Sequence, residues 1–187
     1  MSVRMKTYSY FLFFSLFITS CLKQEFKKVE ILVNNWEFRE QGQEWFPAIV
    51  PGSVHLDLYS NNLIDDPFYR ANENKLQWIE DKHWEYKAEF NLDQDFIDNK
   101  SIHLIFSGID TYADVYLNDS LIHKCDNFFV SYDIKLDSLL KVSNDLRFVF
   151  QSTVERAKLL QKNNTYYLPG EERVYVRKPQ FHFGWDW

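Results

Sequence analysis

Trp84-Glu85-Tyr86-Lys87-Ala88-Glu89-Phe90 alternates apolar and charged residues without a break. Successive side chains of an extended chain point to opposite faces. Trp84, Tyr86, Ala88 and Phe90 therefore face a core, while Glu85, Lys87 and Glu89 face water. The same period recurs at Ile102, Leu104 and Phe106, with His103 and Ile105 opposite, and again at Ala113, Val115 and Leu117. It returns a last time at Leu146, Phe148 and Phe150. Asn118-Asp119-Ser120 and Ser143-Asn144-Asp145 supply turns, and Leu121 and Ile122 follow the first of them. Residues 30–33 and 36–40 are further candidate strands. Short strands at this spacing predict an all-β chain folded as an antiparallel sandwich or jelly roll.

Helix is expected to be scarce. Val54, Leu58 and residues 61–63 allow one short amphipathic turn after Pro51-Gly52-Ser53, with Ser53 as its N-cap. Residues 138–142 allow another single turn. Residues 155–180 are basic and show no clean period, so they are expected to form a long loop across one end of the sandwich. Loops of that kind tend to carry binding residues. No internal repeat or low-complexity segment is visible.

The chain has 187 residues, about one domain, and 18% of them are aromatic. Only five glycines and five prolines are present, which excludes a linker or a disordered chain. A net charge of -6 argues against a nucleic-acid partner, which calls for a basic patch, and suits a neutral ligand such as a glycan.

The N-terminus reads as an export signal. Arg4 and Lys6 precede an apolar run from Tyr8 to Ile18, too short to span a bilayer but suited to a signal core. Ile18-Thr19-Ser20-Cys21 resembles a bacterial lipobox, in which cleavage precedes a lipid-bearing cysteine. The expected organisation is a signal peptide over 1–20, a tether over 21–26 and a folded domain over 27–187. The product would be exported and membrane-anchored through Cys21, in the periplasm or on the cell surface. A eukaryotic source would instead imply secretion or a lysosome, with Asn118-Asp119-Ser120 and Asn163-Asn164-Thr165 as glycosylation sequons. Cys125 would be the only other thiol, a buried small hydrophobe with no disulfide partner.

Several chemistries find no residues to carry them. There is no glycine-rich phosphate loop and no Gly-x-Ser-x-Gly elbow. Histidines at 55, 83, 103, 123 and 182 lack the spacing of a zinc ligand set, so no metal or other cofactor is expected. His55 stands in an unusual loop but reads first as a structural histidine. Asp65-Asp66-Pro67-Phe68 reads as a turn, and no pair of hydrolytic carboxylates can be picked out. Phe181-His182-Phe183-Gly184-Trp185-Asp186-Trp187 has two readings. Indole faces stack on the C–H face of a pyranose while a carboxylate accepts its hydroxyls, which makes one wall of a sugar site. Alternatively, the indoles fill a core and Asp186 is a turn residue.

Six blocks occur in order: Val50-Pro51-Gly52-Ser53-Val54-His55, Leu63-Ile64-Asp65-Asp66-Pro67-Phe68-Tyr69-Arg70, Trp84-Glu85-Tyr86, residues 106–118 (FSGIDTYADVYLN), Tyr175-Val176-Arg177-Lys178-Pro179-Gln180, and the closing run from Phe181. Together they resemble the N-terminal domain of the β-mannosidases of glycoside hydrolase family 2, over about residues 27–187. The resemblance implies a galactose-binding-like jelly roll at the head of a larger enzyme. Immunoglobulin-like domains and a (β/α)8 barrel would follow. The barrel would carry an acid/base glutamate and a nucleophilic glutamate, for retaining hydrolysis of terminal non-reducing β-D-mannose. Both would lie beyond Trp187, so the sequence is expected to be a piece truncated before the barrel.

The resemblance also implies site residues. The carboxylate at Asp186 would bind hydroxyls of the sugar in the −1 subsite, and Trp185 would line the same pocket. Asp110 falls where related enzymes place a polar residue near the pocket, although a turn-capping role fits it equally well. Trp187 is a packing candidate, and His182 and Arg177 are weaker site candidates. The expected partners are β-mannoside glycans and the barrel of the same polypeptide, with membrane contact only through the lipid anchor. Two classes stay open: a non-cleaving piece of an exo-mannosidase, or a stand-alone lectin-like lipoprotein.

Overall fold

The computed structural model describes residues 30–99, 101–136, 138–166 and 168–183. The expected signal peptide, Cys21 and the tether lie outside them. Among the described residues, eight strands form two antiparallel sheets. The larger has the order β2 (Phe46–Ala48), β1 (Trp36–Glu40), β3 (Trp84–Asn91), β8 (Ser143–Phe150), β5 (Ala113–Leu117), β6 (Ser120–Cys125). The smaller pairs β4 (His103–Phe106) with β7 (Tyr132–Lys135).

Register carries the alternation from strand to strand. Phe38 lies opposite Tyr86, Tyr86 opposite Phe148, and Phe148 opposite Val115, so one apolar row crosses four strands. Phe38, Val115, Leu117 and Leu146 are fully buried. The smaller sheet covers this row with Leu104, Phe106, Tyr132 and Ile134. Phe106 meets Phe148 edge-on at 5.2 Å and stacks on Tyr132 at 5.2 Å. The rest of the inner face is closed by residues outside the strands. Leu58 comes from helix α1 (Val54–Ser60), Leu76 from between two short 3-10 turns, and Ile79 from the second of them. Trp84 donates its indole N–H to the Ile79 carbonyl at 3.0 Å, which closes that wall.

Helix α1 begins where expected, with Ser53 accepting a bond from the Leu56 amide. Before it, the Val50–Pro51 peptide is cis. Gly52 follows with no room for a side chain, because a Cβ there would lie 2.1 Å from the Ile49 carbonyl oxygen. Inside α1, Asp57 is buried and accepts from the Tyr86 hydroxyl at 2.7 Å and the Ile49 amide at 2.9 Å. It thus ties the 49–57 loop to the centre of the sheet.

Three expectations are corrected. Residues 30–33 form no strand; ladder pairing begins at Trp36, after Asn35 turns the backbone with a left-handed φ of +59°. The 155–180 stretch is not one long loop. Its first part is helix α3 (Thr153–Asn163; the short α2 is Gln94–Asn99), which buries Val154 and Ala157 and is capped by Ser152 through the Glu155 amide. A 3-10 turn at Glu172–Tyr175 packs beside α3. Glu85 has the outward parity but is 3% exposed, because Arg39 and Arg147 close over it and Arg39 stacks on Trp45. At the β5–β6 turn, Asn118 donates its side-chain amide to the Leu139 carbonyl at 2.9 Å and to the Asn144 side-chain oxygen at 3.0 Å.

Candidate site at the loop end of the sandwich

Three segments converge beyond the ends of the strands: loop 107–112, loop 126–130 and the stretch after α3. Gly108 opens the first with φ +69°, a left-handed value that favours glycine. Asp110 then turns its carboxylate toward the third segment, while Thr111 and Tyr112 are buried below it. The third segment is held to the second by its backbone. Phe128 donates its amide to the Arg177 carbonyl at 2.9 Å, and Asn127 bridges Arg177 in parallel. The Arg177 side chain is exposed.

Asp110 is the hub. One carboxylate oxygen accepts from the Thr111 hydroxyl at 2.6 Å. The other faces Lys178 Nζ at 2.7 Å and His182 Nδ1 at 3.1 Å. The Lys178 side chain is only 9% exposed, and that carboxylate offsets the cost of taking its ammonium out of water. A chain of edge-on rings borders the hub, running Phe129, Phe128, His182, Phe181. Phe129 and Phe181 at its ends are exposed. Beneath lies a small second core of Tyr112, Ala157 and Val176, on which Phe183 packs.

The structure therefore brings together two residues that the sequence offered separately, Asp110 and His182. It adds Lys178, which sequence reasoning left unassigned within the Tyr175-to-Gln180 block. Trp185, Asp186 and Trp187 lie outside the described residues. Arg177 contributes backbone rather than side chain to the junction. His55 is exposed in the first turn of α1. Among the described residues no group of three His, Cys, Asp or Glu side chains could hold a metal ion. No helix among them is long and apolar enough to cross a membrane. Cys125 is buried, and burial pushes its thiol up to about 12.

Two antiparallel sheets, a core of interdigitated aromatics and a loop-end polar cluster define a galactose-binding-like β-sandwich. Residues 36–187 match the model of the glycosyl hydrolase 2 galactose-binding domain-like family, and the chain belongs to that family. Curated relatives include β-mannosidases of Mus musculus, 37% identical over 75% of this chain and 17% of theirs, and of Capra hircus, 37% identical over 83% and 19%. Among solved structures, the β-D-mannosidase of Dictyoglomus thermophilum superposes with a TM-score of 0.79 at 39% identity, over 83% of this chain and 20% of that one. An exo-chitosanase of Amycolatopsis orientalis, at 20% identity and a TM-score of 0.56, shares the fold. The chain spans about a fifth of the length of the relatives it matches.

Proposed function

We infer that this chain is the N-terminal sugar-binding part of an exo-acting β-mannosidase. The whole enzyme would release terminal non-reducing β-D-mannose by a retaining double displacement. Its acid/base and nucleophilic glutamates would lie in a barrel that follows Trp187. The observation that carries this reading is the 39% identity to the Dictyoglomus thermophilum β-D-mannosidase, sustained through one superposable fold.

In this reading, residues 27–187 form the domain, and Trp185 with Asp186 makes a wall of the −1 subsite. The indole covers the apolar face of the mannose ring, and the carboxylate accepts from its hydroxyls. Asp110 stands at the pocket's edge. Residues 1–20 serve as an export signal and Cys21 as a lipid anchor, supported by the basic start, the apolar run and the lipobox-like sequence.

The test is kinetic. The 187-residue chain alone should not turn over p-nitrophenyl β-mannoside above background, whereas the full reading frame should. In that full-length enzyme Asp186→Ala should lower kcat/KM by about 100-fold or more, since each charge-assisted bond to the reacting sugar contributes roughly 1.5–3 kcal/mol. Unchanged kinetics would remove Asp186 from the site. Turnover by the pure 187-residue chain would refute the assignment of catalysis to a later domain.

A further inference from the structure

Phe183 is the last described residue before Gly184-Trp185-Asp186-Trp187, and it is held with unusual thoroughness. Lys178 Nζ lies over its ring at 4.5 Å from the centroid and the Arg173 guanidinium at 5.0 Å. Each cation is fixed by a carboxylate from a different part of the chain. Lys178 is bound by Asp110 of loop 107–112 at 2.7 Å. Arg173 is bound by Glu80 of the 3-10 turn Gln77–Asp81 at 2.7 Å. The adjacent His182 is tied to the same Asp110 oxygen as Lys178. Two successive residues are thus gripped by groups that belong to the body of the sandwich.

Covering the small core of Tyr112, Ala157 and Val176 requires the Phe183 ring but not a nearly buried ammonium. Removing such a charge from water is costly, and apolar packing would cover the core as well or better. What a directional charge pair supplies is a fixed place. Asp110 is also largely occupied: three donors already use its two oxygens, which leaves little of it for a sugar hydroxyl.

The geometry points to Lys178, seconded by Arg173, as a positioning residue: with Asp110 and Glu80 it anchors Phe183 and so sets where Trp185 and Asp186 enter the mannose pocket. This rests on the function proposed above. Three peptide units separate Phe183 from Asp186, a reach of at most roughly 11 Å, so a slack anchor at residue 183 would be passed on to the carboxylate. A misplacement of about 1 Å in a substrate-orienting group can cost on the order of 100-fold in rate. Asp110 accordingly acts through Lys178 and His182 rather than as a ligand of the sugar.

A double-mutant cycle in the full-length enzyme tests the role. Lys178→Met should lower kcat/KM for p-nitrophenyl β-mannoside by about 10- to 100-fold, and Lys178→Arg should restore most of it. If Lys178 acts in part through Asp186, adding Lys178→Met to Asp186→Ala should cost clearly less than Lys178→Met costs alone, the remainder being the displacement of Trp185. Losses that multiply, or a Lys178→Met enzyme with wild-type kinetics, would overturn the proposal. A second measurement needs no activity. In the 187-residue chain, Lys178→Met should speed amide hydrogen exchange at residues 180–187 and 107–112 by about tenfold while β3 and β8 keep their protection. Unchanged exchange at those two segments would overturn the anchor directly. A full-length wild type inert toward β-mannosides would instead refute the function proposed above, and the exchange measurement would still decide the anchor.

Discussion

Replacing Asp57 by alanine should be among the most damaging single changes in the described sandwich. Its side chain is 2% exposed and bears two bonds that reach across the fold, from the Tyr86 hydroxyl at 2.7 Å and the Ile49 amide at 2.9 Å. Alanine leaves both donors buried without an acceptor. Each bond to a charged group contributes roughly 1.5–3 kcal/mol, so the expected loss is about 3–5 kcal/mol. At about 2–4 °C per kcal/mol for a domain of this size, the melting temperature should fall by on the order of 10 °C. Tyr86→Phe removes one donor and keeps the carboxylate bonded to Ile49, so it should cost about half as much. Urea denaturation of the 187-residue chain and its single and double variants would give the coupling between the two side chains. A positive coupling of about 1–3 kcal/mol is expected. Additive losses, or an Asp57→Ala melt within about 3 °C of wild type, would refute the idea that this bond ties α1 to the sheet.

Two further outcomes concern the same core. Burial holds the Cys125 thiol up at about 12, and burial followed by the bond to Asp57 raises the Tyr86 hydroxyl well above the usual phenol range. Both folded groups keep their protons where the unfolded chain has lost them. Stability should therefore be fully present below about pH 9 and fall progressively as pH rises toward 12; Cys125→Ala should flatten the first part of that fall in an alkaline denaturation series. Ser152→Ala should cost about 1–2 kcal/mol in urea denaturation, because the hydroxyl caps α3 through Glu155 and also donates to the Glu80 carbonyl at 2.7 Å.

The strands were legible where one face is dry. Trp84 to Phe90, Ala113 to Leu117 and Leu146 to Phe150 carry a period of two because each turns one face to the core and the other outward, and all three are interior strands of the large sheet. Strand β2 was not legible, since it is a three-residue edge strand with Pro47 at its centre. Helix α3 was hidden by its narrow apolar stripe, in which the fully buried position is the small Ala157. Its usable signal was Ser152-x-x-Glu155, a capping-box pattern. At the site, Asp110 and the closing run could be singled out from their residue types. That Asp110 would be met by Lys178 and His182 could not, because the meeting depends on how the chain returns after α3. Glu85 shows the converse error: parity placed it outward correctly, but parity is blind to the arginines that roof it over.

The small sheet is too narrow to roof the large one, and Leu58, Leu76 and Ile79 finish the job from outside any strand. This makes residues 54–81 masonry rather than trim. Insertions and deletions should be scarce there across relatives, while the exposed tip at Asp119 and Ser120, beyond the tied Asn118, is freer to lengthen.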